Sequence, residues 1–213
     1  MARIDPLPRH DLEEFEPGFA MVEQVMGFVP NSMFTMARVP GLLKNFQAMA
    51  GTVLMNGLIS PELTQMVAQV ASTAAGCRYC QAHTAHSAGR LGVGEEKLAD
   101  LWLFETSEYF DDAERAALRL AFHAASQPNV ATDEDFVACA EHFDDAQISA
   151  IVATISLFGY LNRWNDTMAT DLEDGPTRFG ERVLAPNGWD VGKHVGERSS
   201  TGGDVPPDDG PIR

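Results

Sequence analysis

Ser60-Pro61-Glu62 is the most restrictive local instruction in this chain. The serine hydroxyl suits an N-cap, the proline suits the first helical position, and the glutamate favours the positive end of the helix dipole. No breaker follows until Gly76, so a helix is predicted from 61 to about 75, stopped by that glycine. The next stretch, Gly76-Cys77-Arg78-Tyr79-Cys80-Gln81-Ala82-His83-Thr84-Ala85-His86, carries no turn signal after its glycine. It reads as a second helix, ending near Gly89 to Gly92. Two cysteines and two histidines are therefore carried on a helix, with no strand beside them, and a thioredoxin fold is excluded.

The rest of the chain has the same character, and an all-α fold follows. Residues 11–27 read as an irregular helical entry interrupted by Pro17-Gly18, and Pro40-Gly41 opens a helix towards Asn56-Gly57. A short helix is predicted from Gly94 to Trp102, and a longer one over Asp111–Ser126 with Leu118, Ala121, Phe122 and Ala125 on one face. Thr132 caps a further helix. Asp144 or Asp145 starts the longest, running to about Ala169 with Ile148, Ile151, Val152, Ile155 and Phe158 as its apolar stripe. Glycine and proline dominate from Asp174 onward. The expected organisation is a helical domain over 1–172 with an N-terminal extension, an irregular extension over 173–198, and a disordered tail over 199–213.

Charge removes whole classes of function. Fifteen Lys and Arg against 31 Asp and Glu give a net charge of −16, and the basic residues are scattered singly. Such a chain cannot neutralise phosphates, so no nucleic-acid partner and no anionic membrane surface is expected. Met1 to His10 contains no apolar run like a secretory signal, and no segment reaches the roughly 20 apolar residues of a membrane span. The expected location is the cytoplasm. In that reducing compartment a C-x-x-C pair serves catalysis, redox exchange or metal binding rather than a permanent staple.

Metal ligation by the motif alone fails on geometry. On a helix, positions 77, 80, 83 and 86 point to about 0°, 300°, 240° and 180°, which cannot converge on one tetrahedral ion. Covalent haem requires His directly after the second cysteine, and position 81 is Gln. No metal and no cofactor is expected. Redox chemistry fits better. Cys77 and Cys80 lie on adjacent turns at a helix start, where the dipole, free backbone N–H groups and Arg78 favour a thiolate. The plain alternative is a pair of reduced cysteines that merely pack. Cys139, within Phe136-Val137-Ala138-Cys139-Ala140, reads as core packing. Gln65 and Gln69, one turn apart, line a pocket or face water. Asn162, Asn165 and Asp166 form a polar stripe that borders the site or makes contacts between helices or subunits. The methionines (Met21, Met26, Met33, Met36, Met49, Met55) suit adaptable packing.

The motif and its surroundings resemble the alkylhydroperoxidase D-like, carboxymuconolactone decarboxylase family. The resemblance rests on Pro61-Glu62-Leu63-Thr64-Gln65-Met66-Val67-Ala68, the Gly76 break, the C-x-x-C, Gly89-Arg90-Leu91-Gly92, Asn31-Ser32-Met33-Phe34-Thr35-Met36-Ala37-Arg38 and Leu161-Asn162-Arg163-Trp164-Asn165-Asp166. It spans about residues 25–172 and lies closest to the longer, peroxidase-related branch. It implies an all-α bundle and a homo-oligomer, commonly a trimer or hexamer. It also implies a thiol peroxidase that reduces hydroperoxides and is itself reduced by a lipoylated or thioredoxin-type protein. Carried over, Cys80 attacks the peroxide and Cys77 resolves the product. The family's relay Glu and His fall on Gln65 and Thr84, neither of which can act as a base near neutral pH. His83 is the implied substitute base, with Gln65 orienting and His86 a weaker candidate. The alternatives are a member with diverged chemistry, such as a decarboxylase, or a non-catalytic redox-sensing or interaction protein. Decarboxylase members usually lack the C-x-x-C.

Overall fold

The structure, a computed structural model, describes residues 2–196. Ten α-helices and several short 3-10 or π turns make up this region, and no strand occurs among the described residues. The helices are α1 (Glu16–Met26), α2 (Asn31–Met36), α3 (Leu42–Leu54), α4 (Pro61–Ala74), α5 (Arg78–Arg90), α6 (Glu95–Ala99), α7 (Asp112–Ala125), α8 (Asp133–Ala140), α9 (Asp145–Met168) and α10 (Asp174–Phe179). The all-α expectation holds. No helix among the described residues is long and apolar enough to cross a membrane.

Local chemistry sets the boundaries. Ser60 Oγ accepts from the Leu63 N–H at 3.1 Å, starting α4. Gly76 ends it with φ of +74°, a conformation that costs glycine little, and the Cys77 N–H turns back to the Ser72 carbonyl at 3.1 Å. Reciprocal capping boxes start α7, α8 and α9 through Asp111/Glu114, Thr132/Asp135 and Asp144/Gln147. One expectation needs a different account. Pro17-Gly18 does not interrupt the entry helix, because Pro17 sits in the first turn of α1, where its missing N–H has no helical partner to lose.

Helix α4 is central and packs against α5, α7 and α9. One apolar cluster joins α4, α7 and α9 through Met66, Val70, Leu118, Ile151 and Ile155. A second, around α1 to α3, gathers Phe19, Met36, Leu43 and Phe46 against Leu157 of α9. The third contains both motif cysteines, with Phe158, Leu172, Phe179, Val183, Leu184 and Trp189. The segment after residue 172 thus helps to build the core that holds the thiols. It carries α10, and a Cβ on Gly89 of α5 would stand 2.8 Å from Phe179 Cε2, so glycine is what lets the two helices approach. The Leu172 N–H donates to the His194 carbonyl at 2.9 Å, which ties down the end of the segment. The tail over 199–213 lies outside the described residues.

Candidate active site

The bend at Gly76 makes Cys77 the N-cap residue of α5, with φ −84° and ψ 101°, and puts Cys80 one turn inside the helix. Both are free thiols, 0% and 2% exposed. Their environments differ. The Cys80 thiol hydrogen-bonds to the Cys77 sulfur, and the backbone N–H groups of Cys80 and Tyr79 face it as well. These donors, the thiol first, hold Cys77 below the ordinary thiol range against the opposing effects of burial and Asp166. Burial drives Cys80 well above that range, with Cys77 adding to the rise. Among the described residues only the Asn165 amide, 3.6 Å from the Cys80 sulfur, works in the other direction. Cys139 lies elsewhere, its thiol 3.4 Å from the Ala116 carbonyl, and burial pushes it up to about 11.

The polar stripe of α9 borders the thiols. Asn165 reaches Cys80, and Asp166 faces Cys77. Asn162, one turn earlier, is 4% exposed, and neither atom of its side-chain amide has a hydrogen-bond partner among the described residues. A buried amide left in this state is suited to meet a polar ligand or an ordered water.

His194 completes the surroundings of Cys77. It is fully buried, and its Nδ1 lies 2.8 Å from the Thr170 carbonyl. A Cys77, an Asp166 and a His194 donor atom lie within 4.8 Å of one another, the only such group of three among the described residues. Lys193 places its ammonium 2.8 Å from Asp166, so positive charge is already supplied there without a metal ion. Nothing in the motif itself signals His194, which lies beyond a glycine- and proline-rich segment.

His83 and Gln65 are placed differently from each other. His83 is buried, with Nε2 2.5 Å from Glu173 Oε2 and its ring stacked on Tyr79 at 4.2 Å. Its outward nitrogen is committed to Glu173 rather than to Cys80. Glu173 also accepts from the Tyr79 hydroxyl at 2.9 Å and from the Asn31 N–H at 2.5 Å. Burial, then the Glu173 charge, raises Tyr79 well above its ordinary range, so it remains a neutral donor. Gln65 is half-buried, and none of the described hydrogen bonds joins it to either cysteine. Its neighbour Gln69 is the glutamine that engages α5, through the Thr84 hydroxyl, which also lies 2.8 Å from the Cys80 carbonyl. His86 sits between the rings of Phe28 and Phe179. A cavity of about 320 Å³ lies nearby, lined by Gln69, Arg78, Gln81, Trp102 and Trp189 among others, and neither cysteine lines it.

Two bound thiols of unequal acidity, with an amide donor and an imidazole beside them, can carry out a two-electron reduction that ends as a disulfide.

The carboxymuconolactone decarboxylase family model matches residues 40–122. No curated protein matches the chain. Among solved structures, the debrominase Bmp8 without ligand is 34% identical, with 85% of this chain and 97% of that chain covered and a TM-score of 0.80. A cysteine-to-alanine form of Bmp8 in complex with 2,3,4-tribromopyrrole is 33% identical, covering 86% and 98%, with a TM-score of 0.81. An uncharacterised peroxidase-related protein from Silicibacter sp. TM1040 shares the fold at 22% identity, covering 80% and 88%, with a TM-score of 0.69. With the dithiol helix α5 inside the matched region and nearly the whole of Bmp8 covered at one-third identity, this chain belongs to the carboxymuconolactone decarboxylase, AhpD-like family.

Proposed function

We propose that this protein is a dithiol-dependent oxidoreductase in which Cys77 and Cys80 reduce a small electrophile. The observation that carries the reading is the pair itself: two free, buried thiols at the N-cap and in the first turn of α5, with the Asn165 amide 3.6 Å from the Cys80 sulfur. With a hydroperoxide, one sulfur attacks the terminal oxygen, the O–O bond breaks and an alcohol leaves. The second thiol then displaces water from the sulfenic acid and forms the disulfide. Two thiols and one hydroperoxide become one disulfide, one alcohol and one water. A lipoylated or thioredoxin-type dithiol protein is the proposed reductant, and the cytoplasm the proposed location. Exposed apolar side chains such as Met21, Met49, Met55 and Leu58 support a homo-oligomer.

A second reading is favoured by the likeness to Bmp8. The same electrons could remove bromine from an electron-rich aromatic ring. A thiolate takes the halogen, the ring carbon takes a proton, and the second thiol displaces halide to give the disulfide. Both readings make and consume the same disulfide, so one experiment separates them. The reduced protein is supplied with cumene hydroperoxide or with 2,3,4-tribromopyrrole and a dithiol donor, and peroxide loss or bromide release is followed. Turnover of one substrate, abolished by Cys77→Ser and by Cys80→Ser, is expected. Turnover of neither, or turnover untouched by both substitutions, would show that the pair is not catalytic.

A further inference from the structure

His194 comes from the last described turn of the chain, more than a hundred residues from the motif, yet it is fully buried next to Cys77. Its tautomer follows from its partners. Nδ1 faces a backbone carbonyl, which can only accept, so Nδ1 carries the proton and Nε2 is left with a lone pair. Among the described residues that Nε2 has no hydrogen-bond partner, and the carboxylate of Asp166 stands 3.9 Å from it. A buried, unpartnered acceptor beside an acidic thiol is the arrangement that accepts a proton from it.

We propose that His194 is the proton acceptor for Cys77, so that Cys77 is the thiol that attacks the substrate and Cys80 the thiol that resolves it. The proposal deepens the dithiol reading and rests on it for the identity of the reaction. In the first step the Cys77 proton passes to His194 Nε2 as the sulfur bonds to the electrophilic atom. The imidazolium returns that proton to the leaving alkoxide or to the ring carbon. Cys80 then gives up its own proton as it attacks Cys77 and releases water or halide. Asp166 stabilises the transient imidazolium.

The groups facing His194 agree with this role. Burial above all, and then Lys193, opposes its protonation, while the Thr170 carbonyl, Asp166 and Asp171 favour it. Burial prevails, and His194 is held below its ordinary value, hence neutral and able to accept at pH 7. The Tyr79 ring, 5.8 Å away, is a neutral wall. His83, committed to Glu173, does not compete for the Cys77 proton.

The test needs no substrate. Iodoacetamide labelling of the reduced full chain is followed across pH, with Cys77 and Cys80 distinguished by fragmentation mass spectrometry. The titration of His194 is followed in parallel by NMR of the imidazole. Cys77 should label first, and its rate should reach half its plateau at the His194 midpoint, below the ordinary histidine value of 6.5. His194→Gln should move the Cys77 profile upward and slow its labelling at pH 7 by about a hundredfold or more, the range of general-base assistance. Preferential labelling of Cys80, or a Cys77 midpoint unrelated to that of His194, would overturn the proposal. The second comparison uses the unmodified protein, so it stands even if His194→Gln does not fold. Correct labelling behaviour without peroxide or bromopyrrole turnover would sink the dithiol reading and leave only His194 as the proton acceptor for Cys77 standing.

Discussion

Asn165 aims its side-chain N–H at the sulfur of Cys80, 3.6 Å away, from the last third of the long helix α9. Among the described residues it is the one group that lowers the cost of a thiolate at a position where burial and Cys77 both raise it. Asn165→Leu should therefore slow the step in which Cys80 acts as nucleophile and spare the first attack at Cys77. A hydrogen bond to a charged group contributes about 1.5–3 kcal/mol, so the step should slow by roughly ten- to a hundredfold. Stopped-flow fluorescence reports it, since Trp189 hydrogen-bonds the Arg78 carbonyl beside the pair. Equal slowing of both phases would show that Asn165 only supports the fold.

Oxidation should be confined to the motif. Cys77 and Cys80 lie one turn apart at the helix start, whereas Cys139 is enclosed between α7 and α8 with its thiol raised to about 11. One equivalent of peroxide should consume two thiols, and peptide mapping should find a single Cys77–Cys80 bridge with Cys139 still alkylatable after unfolding. A bridge that includes Cys139 would contradict the site.

The helical scaffold was legible because its instructions are local. Ser60-Pro61, Gly76 and Asp144 each act on their own helix end, and the stripe of α9 follows from spacing. The dithiol was legible for the same reason. Its partners were harder to read. Glu173 and His194 reach the motif helix only because Phe179, Leu184 and Trp189 bury a segment whose glycines and prolines erase periodicity. Spacing along α5 does bring His83 to the turn after Cys80, but whether its nitrogen faces sulfur or Glu173 depends on a residue 90 positions away.

Buried neutral His194 couples stability to pH. Its folded pKa is depressed, chiefly by burial, below the unfolded value near 6.5. Between those two values the unfolded chain binds more protons than the folded one, so stability falls as pH falls from about 6.5 towards the folded pKa. Thermal unfolding scans should show this loss in the unmodified protein and a smaller slope in His194→Gln over the same window. An identical slope in both would assign the effect to other groups.

Glu173 holds three donors at once: His83, the Tyr79 hydroxyl and the Asn31 N–H. Removing it leaves all three without this acceptor in a largely buried place, and breaking a buried pair on one side costs about 3–5 kcal/mol. Glu173→Ala should therefore lower the urea midpoint sharply. Glu173→Gln keeps one carbonyl oxygen of the right shape for Asn31 and Tyr79 while giving up the charge opposite His83, so its loss should be clearly smaller. The comparison also separates stability from chemistry. With His194 as the acceptor for Cys77, Glu173→Gln should leave the pH profile of Cys77 labelling in place while it weakens the fold. A profile displaced as far by Glu173→Gln as by His194→Gln would make the Glu173–His83 pair the group that sets the acidity of the thiols.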